Sequence, residues 1–347
     1  MKKEFWGKTK DNQDVYTYEI CGTGGIRAKF MNYGANLLSL WVPDKNGISA
    51  DVVLGFASLE DYFTNAPYFG ACVAPCGNRI GNARFTLNGK TYDLDKNDGN
   101  NNLHSGSHPL LKRIWDVSTV SDHSITFTYH KKDMDMGFPG NMEISVTFTL
   151  TDDNELRIDY CGRSDRDTIF NPTNHSYFNL SGHDSGSVLD HRVWINASRF
   201  TMTDAASIPN GTLLEVKGTP MDFTAEKPMA PEVDAPYEQL ALAKGYDHNF
   251  ALDIAEGTVS LAASLYDPAS GRKMEVYTDL PGMQLYCGNY IHSGEIGKGS
   301  FRYEPRYGVC FETQYFPNAI NLPSFSQPVA KAGEDKKTTT IYKFFNV

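Results

Sequence analysis

Cysteine is thin on the ground in this sequence: Cys21, Cys72, Cys76, Cys161, Cys287 and Cys310 are spread over 347 residues. That density excludes a small disulfide-stapled scaffold, and free thiols acting as small buried hydrophobes are the expectation. No apolar run approaches the roughly 20 residues of a membrane helix. The opening Met1-Lys2-Lys3-Glu4-Phe5-Trp6-Gly7 also lacks the apolar stretch of a signal peptide, so a cytoplasmic protein without a membrane partner is expected. Positive charge is in deficit: 32 Lys and Arg face 42 Asp and Glu, a net charge of −10, which argues against nucleic acid as a partner. Long helical periodicity is missing too, and so are the usual cofactor signatures. The pairs Gly7-Lys8, Gly89-Lys90 and Gly297-Lys298 each fail the phosphate-loop pattern, and there is neither His-Glu-x-x-His nor paired Cys-x-x-Cys. No metal site or nucleotide cradle is therefore expected.

What is present is β texture. Residues 83 to 94 contain two alternating runs around Asn88-Gly89, the strongest short hairpin signal because both turn positions tolerate positive φ. Runs rich in Ile, Val, Thr, Phe and Tyr follow at 124–129, 143–151, 155–161, 192–201, 259–266, 273–278, 283–291, 308–315 and 338–345, separated by Gly, Pro, Asn and Asp. Helices are expected only at 58–65, where Ser58 precedes Asp61 in a capping arrangement, and near 237–243. Many short strands without alternating helices imply an all-β fold, a large antiparallel β-sandwich with a few short helices. With 317–333 read as a surface loop, residues 1–347 are expected to form one domain.

Several segments carry polar groups in places where chemistry could use them. Asn171-Pro-Thr-Asn-His175-Ser-Tyr177-Phe-Asn179 reads as a strand whose alternation places His175, Tyr177 and Asn179 on one face. In Gly308-Val-Cys310-Phe-Glu312-Thr-Gln314 a carboxylate interrupts an apolar strand, so it is either solvated at an edge or held in a polar site. Gln284 and Tyr286 share a strand face, and polar tips beside aromatic plates suit a sugar. Two turn-rich segments, Gly77-Asn78-Arg79-Ile80 and Asn102-Leu103-His104-Ser105, place binding groups in loops, and Asp247-His248 sets a carboxylate beside a histidine. Each alone is as readily a satisfied core or surface residue.

In their order along the chain these six segments resemble the aldose 1-epimerase (galactose mutarotase) family. The resemblance implies a galactose mutarotase-like supersandwich with a sugar cleft, no cofactor, and exchange of the α and β anomers of a free hexose such as galactose or glucose. It implies Glu312 as general base, His175 as general acid and His104 as an assisting histidine. Arg79, Asn78, Asp247, Gln284 and Tyr177 are implied as sugar-binding residues. The chain departs from the family pattern at Ser105, where a second glycine commonly follows the histidine, and at Met134-Asp-Met136, where more acidic residues are usual. Three other readings fit the same residues. A hexose-6-phosphate epimerase would recruit Arg113, Arg163 or Arg166; a glycosidase would pair Asp247 with Glu312; a non-catalytic module would only bind sugar. A monomer or a homodimer is compatible with all of them.

Overall fold

The computed structural model describes residues 1–347, and strands dominate it. A nine-stranded antiparallel sheet runs in the order Asp116–Val120, Ser124–Lys131, Met142–Leu150, Glu155–Ser164, Asp335–Asn346, Arg272–Thr278, Ser260–Tyr266, Arg192–Ile195, Lys227–Pro228. Its logic is the period of two. Along Met142–Leu150 every second side chain, Met142, Ile144, Val146, Phe148 and Leu150, is buried, while Glu143 is exposed.

A second sheet of five strands, Pro209–Glu215, Arg199–Thr203, Asp247–Ala251, Gly282–Tyr286 and Cys310–Gln314, carries Asp247, Gln284 and Glu312. One hydrophobic cluster of 55 buried residues joins the sheets, with Phe148, Ile158 and Tyr342 from the first and Phe250, Leu285 and Phe311 from the second.

A third, five-stranded sheet formed by residues 2–51 also feeds this cluster, through Phe30 and Leu40. Sequence patterning did not single it out. Its strand Asn36–Pro43 is buried on both faces for most of its length, so its alternation is masked.

The hairpin at Asn88-Gly89 forms with both residues at positive φ, 51° and 75°. Helices Leu59–Tyr62 and Glu238–Ala243 are the only α-helices, and the Ser58 side chain accepts from the Asp61 N–H at the start of the first. No helix is long and apolar enough to cross a membrane. All six cysteines are free thiols.

Three expected strands are shorter than the sequence suggested. The 192–201 run is two strands in different sheets. The chain crosses between sheets at 196–198, where Asp253 accepts from the Ser198 N–H at 2.7 Å and the Asn196 amide donates to the carbonyls of Asp253 and Leu261. The 283–291 strand ends at Tyr286. From Asn171 to Asn179 only Thr173–His175 is strand, paired with Ala71–Val73. Beyond it, Asn174 Oδ1 takes the Ser176 N–H, an intrastrand turn that competes with the ladder. As a result Asn179 leaves the face it was expected to share with His175 and binds the carbonyls of Gly186 and Tyr307.

The N-terminal sheet is anchored to the nine-stranded sheet by a buried cation. Arg272 donates to the carbonyls of Val42, Leu180 and Ile48 at 3.0, 2.7 and 2.8 Å. Replacement by Met would leave these acceptors without their donor, so Arg272→Met is expected to lower stability by about 3 kcal/mol or more. Urea unfolding checks this, and a loss below about 1 kcal/mol would show that other groups take over the carbonyls.

Candidate active site

Register across the second sheet builds the floor of the site. Antiparallel pairing aligns Asn249, Gln284 and Glu312 in one cross-strand row and Asp247, Tyr286 and Cys310 in the next. Successive rows are two residues apart and so project on one face. His175 arrives from outside this sheet. The antiparallel bridge between Phe178 and Val309 brings this segment alongside Cys310–Gln314, and His175 reaches Glu312 there. At the far end the Asn171 side chain acts as a surrogate strand, accepting from the Tyr315 N–H at 2.8 Å and donating to the Tyr315 carbonyl at 3.2 Å.

The two turn-rich segments are zipped together. Arg79–Ile80 pairs with Asn102–Leu103, and the His104 N–H donates to the Asn78 carbonyl at 3.1 Å. In return the Asn78 N–H donates to His104 Nδ1 at 3.1 Å. Both residues sit in the left-handed region, with φ of 57° and 49°. Ser105, at φ 70°, occupies a conformation that suits glycine, and its hydroxyl compensates by donating to the Cys76 carbonyl and accepting from the Cys76 N–H.

These parts enclose a cleft of about 760 Å³, within the range of small-molecule sites. His104, His175 and Glu312 meet at its base, their nearest donor atoms all within 4.8 Å of one another. His175 Nε2 lies 3.7 Å from Glu312 Oε1, too long for a hydrogen bond, and the side chains are only 5% and 3% exposed. Glu312 Oε2 has no partner at all. Rings of Tyr68, Tyr177 and Tyr286 surround His175, with centroids 5.7, 5.1 and 6.0 Å away.

Electrostatics follow from this burial. Desolvation and the neighbouring Asp247 push the Glu312 carboxyl well above its ordinary range, opposed by Arg79. Desolvation brings His175 down to about 4. His104 is pushed far down by burial, with His175 and Arg79 adding to the effect. Because His104 Nδ1 accepts a backbone N–H, its neutral tautomer carries the proton on Nε2.

Of the residues singled out in the sequence, Asn78, Arg79, His104, His175, Tyr177, Asp247 and Glu312 all line the cleft. Gln284 does not. It lies one layer behind, donating to Asp247 Oδ1 at 2.6 Å while its own carbonyl accepts from Gln314 at 3.2 Å. Tyr177 contributes its ring, since its hydroxyl donates to the Pro67 carbonyl at 2.7 Å. Sequence reasoning missed Tyr68, Asp98 and Tyr290. Asp98 holds the Arg79 Nε at 2.8 Å, and its signal was its place beside the Asn-Asn-Asn-Leu-His segment. Tyr68 sits at a turn with φ 62°, where no alternation could mark it.

The sequence matches the Aldose 1-epimerase family over residues 16–343. The chain belongs to the aldose 1-epimerase family. It is 39% identical to the galactose mutarotase of Sus scrofa over 319 residues, 92% of this chain and 91% of that one. With the aldose 1-epimerase of Escherichia coli it shares 34% identity over 336 residues, 96% of each chain. Among solved structures, a GalM/aldose epimerase homologue from C. elegans superposes with a TM-score of 0.88 at 28% identity, covering 95% of this chain and 99% of that one. A galactose 1-epimerase from Lactobacillus acidophilus gives 0.86 at 27% identity and covers 99% of each. The chain is accordingly an isomerase with the mutarotase fold.

His104, His175 and Glu312 are also the one group of side chains placed to hold a metal ion. The donor chemistry argues against it. A ligating imidazole needs a free lone pair on the nitrogen facing the metal, whereas His104 spends its Nδ1 lone pair on Asn78 and carries hydrogen on Nε2. Protein equilibrated with Zn²⁺ and passed through gel filtration is expected to retain well under one equivalent. Stoichiometric metal that disappears in His104→Ala would show that this ring can turn its lone pair inward.

Proposed function

We propose that this aldose 1-epimerase acts on free, uncharged hexoses such as galactose and glucose, with Glu312 as base and His175 as acid. The observation that carries the reading is the unpartnered Glu312 Oε2 beside a His175 Nε2 held 3.7 Å from the other carboxylate oxygen. Glu312 takes the proton of the C1 hydroxyl, the C1–O5 bond breaks, and O5 takes a proton from His175 Nε2. The resulting aldehyde rotates about C1–C2. Reclosure returns both protons and delivers the opposite anomer. General acid and base steps of this kind each contribute about 10²–10⁴-fold. His104, with its fixed Nε2–H, supplies a hydrogen bond to the ring oxygen or an adjacent hydroxyl.

Recognition falls to groups away from C1. Arg79, steadied by Asp98, and Asp247, steadied by Gln284, offer charged partners to the remaining hydroxyls. Asn78 adds a polar group, and the Tyr177 ring adds apolar cover for C–H faces.

The phosphosugar alternative finds little support. Arg113 is paired with Asp135, Arg163 with Asp335 and Arg166 with Asp133, and none of the three lines the cleft. Four carboxylates (Asp98, Asp204, Asp247 and Glu312) face a single guanidinium there, a field that repels a phosphate. We read residues 1–347 as one functional unit.

Polarimetry of freshly dissolved α-D-galactose and α-D-glucose tests this reading. Wild type is expected to bring both rapidly to anomeric equilibrium, Glu312→Gln to fall by at least about 10²-fold, and glucose 6-phosphate to react poorly. No acceleration above the buffer rate would leave a sugar-binding module as the better reading.

The pH dependence has a definite form. Glu312 is raised and His175 lowered, so across a wide interval the pair holds one proton, shared between carboxyl and imidazole. The productive arrangement, carboxylate with imidazolium, belongs to this one-proton state. The rate kcat/KM is expected to fall on the acid side near the His175 value of about 4, where both groups become protonated. On the alkaline side it falls as the pair loses its last proton, well above the ordinary carboxylate range. An acid limb that stays put in His175→Gln would overturn the assignment.

A further inference from the structure

Four histidines are buried in this protein: His104, His175, His191 and His248. Three of them have a ring nitrogen occupied by a backbone donor. The Asn78 N–H donates to His104 Nδ1 at 3.1 Å, the Leu180 N–H to His191 Nε2 at 3.0 Å and the Asp247 N–H to His248 Nδ1 at 3.2 Å. Protonating any of these rings breaks a buried hydrogen bond and sets one N–H against another. His175 alone is different. Its Nδ1 faces the thiol of Cys310, with Sγ at 3.6 Å.

We propose that Cys310 is a positioning residue for His175, its sulfur accepting the Nδ1–H so that Nε2 remains the nitrogen that exchanges a proton with the substrate. This rests on the reading of His175 as the acid. With Nδ1–H on sulfur, the neutral ring presents a bare Nε2 and the imidazolium presents Nε2–H. Both states keep the same contact on Nδ1. The proton can then leave for the ring oxygen and return without any rotation of the imidazole.

Placement fits this role. Cys310 and Glu312 are alternate residues of one strand, so the base and the partner of the acid share a face and a backbone. The thiol is fully buried, and burial together with Glu312 and Asp247 keeps it protonated. A carboxylate or thiolate at this point would hold the imidazolium tightly and blunt it as an acid, whereas a thiol sulfur is a weak acceptor. The other groups facing His175 are Glu312, His104, Tyr68, Tyr177 and Tyr286, and none of them contacts Nδ1.

The test compares Cys310→Ala, Cys310→Val and Cys310→Ser. Loss of the acceptor in Ala and Val is expected to lower kcat about tenfold with KM little changed, and to move the acid limb of the pH profile downward. Serine keeps an acceptor, so it should retain kcat within about threefold. Nitrogen-15 NMR of histidine-labelled protein should find the Nδ1–H tautomer of His175 in wild type and Ser, and a shift toward Nε2–H in Ala. A kcat loss in Ala with unchanged tautomer and unmoved acid limb would assign the effect to packing and overturn the proposal, as would wild-type kinetics in Ala and Val. The tautomer reports the hydrogen bond by itself. Wild-type rates in His175→Gln would instead remove the acid assignment on which the proposal stands.

Discussion

An ionisable carboxylate held where water cannot solvate it is the constraint from which the rest of this site follows. Glu312 is buried with one oxygen unpartnered, an arrangement that costs free energy. A buried strand would ordinarily reject it. Burial raises its proton affinity, and a base is useful when that affinity approaches the working pH. The same burial depresses His175, so one dry pocket moves the two groups in opposite directions.

Holding such a pair at a separation of 3.7 Å without a direct hydrogen bond requires rigid supports on both strands. On the Glu312 side the support is a buried layer of amides. Gln314 donates to Asn249 at 3.0 Å and to Gln284 at 3.2 Å, and Gln284 donates on to Asp247. This crossing passes over Gly282. A Cβ there would meet Asn249 Oδ1 and the Phe316 ring at 2.7 Å, so the glycine is what lets the amides join. On the His175 side the segment is pinned at its ends, by the Asn171 side chain on Tyr315 and by the Phe178–Val309 bridge.

Much of this was legible in the sequence because β structure writes itself in a period of two. The face-sharing of Glu312 with Gln314 and of Gln284 with Tyr286 follows from alternation alone. Alternation failed where side chains displaced the ladder. Asn174 turned the chain after His175, and Asn196 with Ser198 carried it from one sheet to another. The N-terminal sheet escaped because its best strand is buried on both faces. In the site, chemistry-bearing residue types stood out, but depth did not. Gln284 and Asp98 both became supports for other residues, since no one-dimensional pattern separates a side chain that lines a cleft from one that stands behind it or steadies its neighbour. Tyr68 lies in a turn and had no periodic neighbour to mark it.

An enzyme that exchanges anomers must accept its product as readily as its substrate, which restricts where binding energy can be placed. Any strong contact that distinguished axial from equatorial O1 would stabilise one ground state over the other and slow one direction of the reaction. The distribution of groups in the proposed site is compatible with this restriction. On the proposed reading the firmly braced ions, Arg79 on Asp98 and Asp247 on Gln284, are assigned to hydroxyls whose configuration never changes. Beside Glu312 and His175, where the proposal puts C1, the braced groups give way to an unpartnered carboxylate oxygen and aromatic walls, groups that do not discriminate between axial and equatorial O1. In that arrangement the rotation about C1–C2 would take place against ring faces, and the proton carriers would stay fixed while the carbonyl turns.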